Sequence, residues 1–340
     1  LRRKPLKLTP QTGGSARDMT FGERYGKWRR SEGVRGWLMV SPTALFTLAF
    51  LAVPLSAIIA YSFFTQTGVI TVDYTPTLAN YREALGIDRL VAILGAEEGG
   101  GIWSRLRVFF SGEIYLWLIS RSVLVSIAVT AITVLTAFPV AYFVSFRVDP
   151  SRKSMWLFLI TIPFWTSYLI RINLWKIILA RNGVVNTALE QLGLISEPIS
   201  WITYNINAVV VVLAHSYAPF AILPIFVALE KIDRALLEAG QDLGENRLMT
   251  FWRVTLPLAV PGVVAAVLIV FIPTIGDYVT PRLIGGNSGS MIANMIQTQF
   301  LKSNNAPLGA TLAVLSMLTV GAISIIFVLL NRRRLQGRPA

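Results

Sequence analysis

Stretches free of Lys, Arg, Asp and Glu punctuate the chain at residues 36–72, 122–146, 154–170, 198–229, 254–276 and 303–331. Each is close to or longer than the roughly 20 apolar residues a membrane-spanning helix requires. Membrane strands would instead alternate apolar and polar residues over about 10 positions, and these stretches do not. The pattern predicts six transmembrane helices, at 37–64, 119–146, 154–178, 204–229, 254–275 and 308–331. The third is the least regular, because Arg171, Asn173 and Lys176 interrupt its second half.

Composition strengthens this reading. Of the 340 residues 54% are hydrophobic and only 14% charged, with a mean hydropathy of +0.59. Soluble domains carry about 25% charged residues, and disordered chains need dense charge and little apolar surface. An all-α integral membrane protein is therefore expected. There are no cysteines, which excludes disulfides, thiolate metal sites and a cysteine nucleophile. His215 is the single histidine and cannot alone assemble a multi-histidine zinc site.

The net charge of +13 would suggest nucleic acid on a soluble face, but its distribution gives it another origin. Ten Lys and Arg fall in the first 36 residues. Arg147, Arg152 and Lys153 follow the second predicted span, and Lys231, Arg234, Arg247 and Arg253 lie between the fourth and fifth. With Arg332, Arg333, Arg334 and Arg338 at the end, 21 of the 31 basic residues fall on one side of the membrane. The positive-inside rule makes that side cytoplasmic, with both termini on it. No nucleic-acid partner is implied; membrane lipid is the surrounding partner.

The expected organisation is a basic cytoplasmic extension at 1–36, a permease domain at 37–331 and a basic tail at 332–340. The first apolar run is too long for a cleaved signal sequence and reads as an uncleaved span. Before it, Phe21, Tyr25 and Trp28 recur at spacings of four and three among basic residues. That pattern suits either an interfacial helix or a solvated tail that fixes topology. The outer connection, 65–118, contains Glu97, Glu98 and three glycines, a stretch expected to lack regular structure. It is either variable surface or a docking surface.

The cytoplasmic loop 230–256 carries the most specific signal. Asp233 is placed to cap a short helix, with Leu236, Gly240 and Leu243 on one face. Gly244 stands where a left-handed residue would end that helix. A second short helix would place Leu248, Phe251, Trp252 and Thr255 along one side before Pro257 opens the fifth span. Glu238-Ala239-Gly240, three residues, Gly244, nine residues, then Val254-Thr255-Leu256-Pro257 resembles the EAA loop of bacterial ABC-importer permeases. The family pattern is E-A-A, three residues, G, nine residues, I-x-L-P, so Gly240 and Val254 are departures of small volume. The resemblance implies a type I importer permease fold. It also implies a coupling helix (Leu236, Glu238, Ala239, Gly240, Leu243, Gly244) that docks into a groove on a cytoplasmic ATPase. Small residues at 239 and 240 would let the two backbones approach, and Glu238 would offer a carboxylate.

No G-x-x-x-x-G-K-[ST] loop occurs in the sequence; Gly22, Gly26 and Lys27 have the wrong spacing. ATP and its magnesium ion would thus be bound by partner chains, and this chain would hold no cofactor and no catalytic or metal site. The resemblance implies a second, similar permease subunit, two ATPase subunits and a periplasmic solute-binding protein as partners.

Further stretches resemble the spermidine and putrescine branch. They are Asn80-Tyr81, Ala137-Phe138-Pro139-Val140-Ala141-Tyr142, Ile162-Pro163-Phe164-Trp165-Thr166 with Leu169-Ile170-Arg171, and Gly276-Asp277-Tyr278-Val279-Thr280-Pro281. Relative to that branch, about 86–114 is an insertion. Amine cations crossing a membrane require carboxylates or aromatic faces. Asp277 is a candidate for the first, and Trp165, Tyr168, Tyr217 and Tyr278 for the second. The plainer alternatives are a solvated helix end for Asp277 and an interfacial belt for the aromatics. His215 is expected to make a hydrogen bond in the core, and Arg171 and Lys176 to snorkel outward. Pro219, Pro224, Pro261 and Pro273 are expected to bend spans four and five. Importers of other organic solutes share much of the pattern. A self-sufficient secondary carrier would need inverted repeats and coupling carboxylates, and an intramembrane enzyme a catalytic dyad; neither signature is present.

The topology is open to direct measurement in a cysteine-free chain. Gly100→Cys and Asn246→Cys, made singly, should react oppositely with an impermeant thiol reagent in intact cells: residue 100 labelled, residue 246 protected. The reverse pattern inverts the topology.

Overall fold

Prolines and short polar side chains decide where the helices of this protein begin, break and end. The computed structural model describes residues 32–69, 71–95, 112–200, 202–286 and 288–335. The expected interfacial helix around Phe21, Tyr25 and Trp28, and the acidic-glycine stretch at 97–101, lie outside the described residues. The chain divides into two units between Ala57 and Ile58. In the first unit helix α1 (Glu32–Tyr61, continuing past the boundary) carries Pro42 and Pro54, with the Phe46 and Phe50 rings 4.3 Å apart on one face.

In the second unit a two-stranded antiparallel ladder, β1 (Thr65–Gln66) on β2 (Val72–Asp73), is followed by two short helices, α2 (Ala79–Ala84) and α3 (Ile87–Gly95). The connection after span one is therefore more structured than its composition suggests. Asn80 Nδ2 donates to the Phe64 carbonyl (2.6 Å), and the Ser62 and Tyr81 hydroxyls are 2.8 Å apart. The Ser62 carbonyl in turn accepts from Thr311 Oγ (3.0 Å), which ties the connection to the last span.

Helix α4 (Ile114–Phe146) starts five residues before the expected 119. Arg121 does not stop it, because its guanidinium lies over the Trp117 ring at 4.7 Å and keeps the charge on the helix surface. The third span is the main correction. Instead of one helix over 154–178 it comprises α5 (Pro150–Thr161), a 3-10 turn (Ile162–Trp165) and α6 (Tyr168–Ile178), with an 86° bend. Pro163 lacks an N–H and tightens the chain into the 3-10 turn. Thr166 and Ser167 are extended (ψ 145° and 135°), and the Thr166 hydroxyl returns to the Pro163 carbonyl at 2.8 Å.

Helix α7 (Val184–Gln191) leads to α8 (Ile206–Glu230), whose N-cap Asn205 accepts from the N–H groups of Asn207 and Ala208. Helix α9 (Arg234–Asp242) precedes α10 (Arg247–Ile275). The expected second short helix is thus the first turn of α10, joined to the fifth span through a π segment at Phe251–Thr255. Pro257 would clash with the Arg253 carbonyl in an unbroken α-helix. The wider turn avoids this, and Leu256 N–H donates five residues back to Phe251. Two short helices, α11 (Val279–Ile284) and α12 (Ile292–Leu301), separate α10 from α13 (Ala306–Leu335). Among the described residues five helices are long and apolar enough to cross a membrane, or six if the bent α5–α6 pair is one span. The architecture is an all-α, multi-pass membrane fold of the type I permease kind.

The core lies where α4, α8 and α10 meet. Val125, Val129, Ala137, Ala141 and Val144 of α4 pack on Val209, Leu213, Ile222, Ile225 and Leu229 of α8 and on Ala259, Ala266 and Val270 of α10. Lipid tails are as apolar as these side chains, so packing and close backbone approach must hold the helices together. Gly262 is the point of closest approach: a Cβ there would meet Ala228 Cβ and the Pro224 carbonyl oxygen. At the end of the bundle that carries the loop 230–256, Lys153 Nζ donates to both oxygens of Glu230 (2.6 and 2.8 Å), and Ser145 Oγ donates to Oε2 (3.1 Å). That cluster joins the ends of α4, α5 and α8.

Gly262→Val should separate α8 from α10 and destabilise the protein by about 1–3 kcal/mol, the usual range for overpacking. Gly276→Ala, whose Cβ has only the Pro273 carbonyl at 3.7 Å, serves as the tolerated control. Thermal unfolding in detergent compares the two; equal melting would remove Gly262 as the contact that sets the spacing.

Candidate functional site

The loop between α8 and α10 is built almost entirely from local capping. Asp233 accepts from Ala235 N–H (3.0 Å) and starts α9. At its other end Gly244 takes φ +87°, as the sequence predicts. Gly244 N–H donates to Gln241 and Glu245 N–H to Gly240, at 2.9 and 3.1 Å. That pair of bonds is a Schellman motif, and it satisfies carbonyls that would otherwise be orphaned. Asn246 then accepts from Met249 N–H (2.8 Å) and caps α10. Glu245 is held by Arg253 at 2.8 Å. The result is a nine-residue helix fixed at both ends, reversing direction through one glycine.

The expected coupling residues divide by exposure. Leu236, Glu238, Ala239 and Gly244 are exposed, and Leu243 is 86% exposed. Gly240 is buried inside this chain against Thr250, where an added Cβ would sit 3.4 Å from Cγ2. Its small size therefore serves the packing of α9 on α10, while Ala239 faces outward. The exposed leucines and Ala239 leave an apolar surface, with Glu238 beside it, that nothing in the described chain covers.

The second constellation lies where the broken third span meets the turn after α10. Asp277 is only 8% exposed. Its Oδ1 accepts from the N–H groups of Val279 (2.8 Å) and Thr280 (3.3 Å), which caps α11. Its Oδ2 accepts from Thr280 Oγ (2.7 Å) and from the Tyr168 hydroxyl. The two hydroxyls are themselves 2.7 Å apart. Asp277 is thus a buried, fully bonded carboxylate, not a solvated helix end. Tyr217 on α8 packs against the core, its ring 6.2 Å from that of Phe220. Tyr278 is exposed, and its carbonyl accepts from Asn294 Nδ2 at 2.8 Å. Trp165 is 80% exposed and rests edge-on against Phe158. The structure brings Asp277, Tyr168 and Thr280 together; Tyr217 lies on α8 against the core, and Tyr278 and Trp165 are on exposed faces.

Arg171 corrects the expectation of snorkelling. It is 9% exposed, one turn after Tyr168 on α6, with Nη2 donating to the Thr166 carbonyl (3.2 Å) and the guanidinium over Phe164. Its Nε has no hydrogen-bond partner. His215 does make a hydrogen bond, accepting from Trp175 Nε1 at 3.2 Å, but on the exposed face of α8 and not in the core. Thr280 was not among the expected residues. The spacing Asp277-x-x-Thr280 followed by Pro281 is a helix-start signal that could have found it.

Residues 99–337 match the family of binding-protein-dependent transport system inner membrane components. The chain belongs to that family. This permease is 32% identical over 289 residues to the spermidine/putrescine transport system permease protein PotB of Haemophilus influenzae, covering 85% of this chain and 91% of that protein. The PotB protein of Escherichia coli is 30% identical over 292 residues, covering 86% of this chain and 93% of its own. Among solved structures, a bacterial ABC transporter involved in the import of the acidic polysaccharide alginate superposes with a TM-score of 0.60. It covers 92% of this chain and 99% of its own at 18% identity, a likeness of fold. The protein is accordingly an inner-membrane permease subunit of an ABC importer, closely related to the PotB branch. It works with a binding protein and coupled ATPase partners and has a transport role, not an enzymatic one.

Two glycines of the loop should behave oppositely. Gly240→Ala, which restores the family's second alanine, fits beside Thr250 and should leave stimulated ATP hydrolysis unchanged while stabilising α9 by up to ~1 kcal/mol. Gly244→Val places a β-branched residue at positive φ, at a cost of about 1–2 kcal/mol. It should weaken transport-linked ATP hydrolysis without preventing membrane insertion. Normal stimulated hydrolysis in the valine variant would remove the loop from coupling.

Proposed function

We propose that this permease passes a polyamine across the membrane and that Asp277 is the carboxylate that meets an ammonium group. The observation that carries the reading is the Asp277–Tyr168–Thr280 cluster, in a chain 30–32% identical over most of its length to spermidine/putrescine permeases. Three oxygen–oxygen contacts in that cluster share two hydroxyl protons, so one contact has no proton to hold it. An ammonium brings three donors and can replace the Tyr168 hydroxyl on Oδ2 while the Thr280 hydroxyl turns to accept. The charge is also in the right setting. A cation leaving water needs a compensating carboxylate within the membrane, and Tyr168 and Tyr217 offer apolar ring surface to a methylene chain.

In this reading the loop 230–256 and both termini face the cytoplasm. Leu236, Glu238, Ala239 and Leu243 dock on an ATPase subunit, with two such subunits and a sister permease completing the complex. Nucleotide-driven closure of the ATPases moves α9, and with it α8 and α10, as a rigid body. Swinging α6 at its break would release Tyr168 from Asp277 and open the carboxylate to the path.

A second reading has one observation in its favour. The buried, partly unpartnered Arg171 guanidinium suits a solute that carries a carboxylate as well as an amine.

Uptake by the complete importer in reconstituted vesicles separates these readings. Asp277→Asn can still accept the α11 N–H groups but has no charge. It should lower spermidine and putrescine uptake at least tenfold, with assembly and basal ATP hydrolysis intact. Unchanged polyamine uptake in that variant removes Asp277 from the path. A wild-type complex that moves no polyamine, but moves an amino-carboxylate solute in an Arg171-dependent manner, replaces the first reading by the second.

A further inference from the structure

A cleft of about 310 Å³ opens beneath α9, between the end of α4 and the start of α10. Three arginines line it, each at a helix boundary: Arg147 directly follows α4, Arg234 is the first residue of α9, and Arg247 the first of α10. Glu238 is the single acidic residue in the lining, which leaves a net charge of about +2. Among the described residues none of the three arginines is in an ion pair. Arg253 and Lys153, at the same end of the bundle, are taken by Glu245 and Glu230. The apolar part of the wall is largely aromatic: Tyr142 and Phe251 meet edge to face at 5.9 Å, and the Phe146 ring lies 4.9 Å from Tyr142, with Leu237 beside them.

We propose that this cleft binds the phosphate of an anionic phospholipid, with the arginines on the headgroup and the aromatic wall beside the glycerol and upper acyl chains. Three features select this ligand. A guanidinium cluster supplies the forked donors that phosphate oxygens accept. The cleft lies where two spans leave the hydrocarbon, the depth at which lipid phosphates sit and at which basic pockets between helices take headgroups. Its wall is polar on one side and aromatic on the other, which matches a lipid and not a fully hydrated ion. The occupant would bridge α4 to α9, so the lipid would brace the coupling helix against the bundle. The inference rests on this face meeting the inner leaflet, which the labelling of Asn246→Cys tests separately.

The test uses the intact importer in nanodiscs of phosphatidylcholine, with or without phosphatidylglycerol. Native mass spectrometry counts retained phosphatidylglycerol, and thermal melting reports its effect. Wild type should retain the anionic lipid and melt higher with it. Arg147→Gln, Arg234→Gln and Arg247→Gln should each weaken retention about fivefold, the effect of one basic residue at a lipid surface, and together should abolish the melting shift. Arg152→Gln, a basic residue outside the cleft, should change neither. Retention of the lipid by the triple variant would overturn the proposal. So would loss of the ATPase subunits from that variant with lipid retention unchanged, since the cleft would then receive an acidic side chain of the partner. Inorganic phosphate reproducing the melting shift in phosphatidylcholine alone would reject the lipid as the source.

Discussion

A peptide group in hydrocarbon has no water to turn to, and at several places where this chain leaves α-helical geometry another group takes up the lost bond. At Pro163 the chain tightens to a 3-10 turn and the Thr166 hydroxyl bonds the freed carbonyl region. Before Pro257 the helix widens to a π turn, so that Leu256 reaches Phe251. After α10 the Asp277 carboxylate takes the first N–H groups of α11. Ser122 does the same service at the start of α12, accepting from Ile292 N–H at 2.8 Å. The breaks are where polar side chains are brought into the membrane region, and the candidate path is assembled from the same residues that repair the backbone.

The loop 230–256 depends on this arrangement at its roots. It joins α8 to α10, and those two helices are locked at Gly262, where a side chain would strike Ala228 and the Pro224 carbonyl. Lys153 and Ser145 hold Glu230, the last residue of α8, so the start of the loop is fixed to α4 and α5 as well. Helix α9 is therefore tied, through its flanking helices, to several spans at once. Packed interfaces of this kind shift between discrete arrangements and do not deform continuously. The bend between α5 and α6 contains two non-helical residues, Thr166 and Ser167.

What the sequence made legible follows from what its signals measure. Charge-free windows find apolar length, so all six stretches were visible, but they are blind to direction; the 86° bend at Thr166–Ser167 lies inside one of them. They also stop at any charge, and so missed the first turns of α4, where Arg121 is accommodated over Trp117. The loop 230–256 was readable because its chemistry is local: Asp233 and Gly244 act within a few residues of themselves. Gly240 was half read. Its smallness was evident, but that Thr250 covers it depends on the angle between α9 and α10. Asp277 was visible as a lone acid, whereas its saturation required Tyr168, 109 positions away. Burial of Arg171 likewise depends on the turn that folds Phe164 and Thr166 back over it.

Among the described residues two charged side chains are buried, the Asp277 carboxylate and the Arg171 guanidinium. They are set one helical turn apart along α6 through Tyr168 and Arg171. The carboxylate is held by four donors that are all neutral, so its negative charge is solvated but not cancelled. The guanidinium is faced by a ring and a carbonyl, and no carboxylate pairs with it among the described residues. The same break in the third span, at Thr166 and Ser167, sets Tyr168 on Asp277 and Arg171 against Phe164.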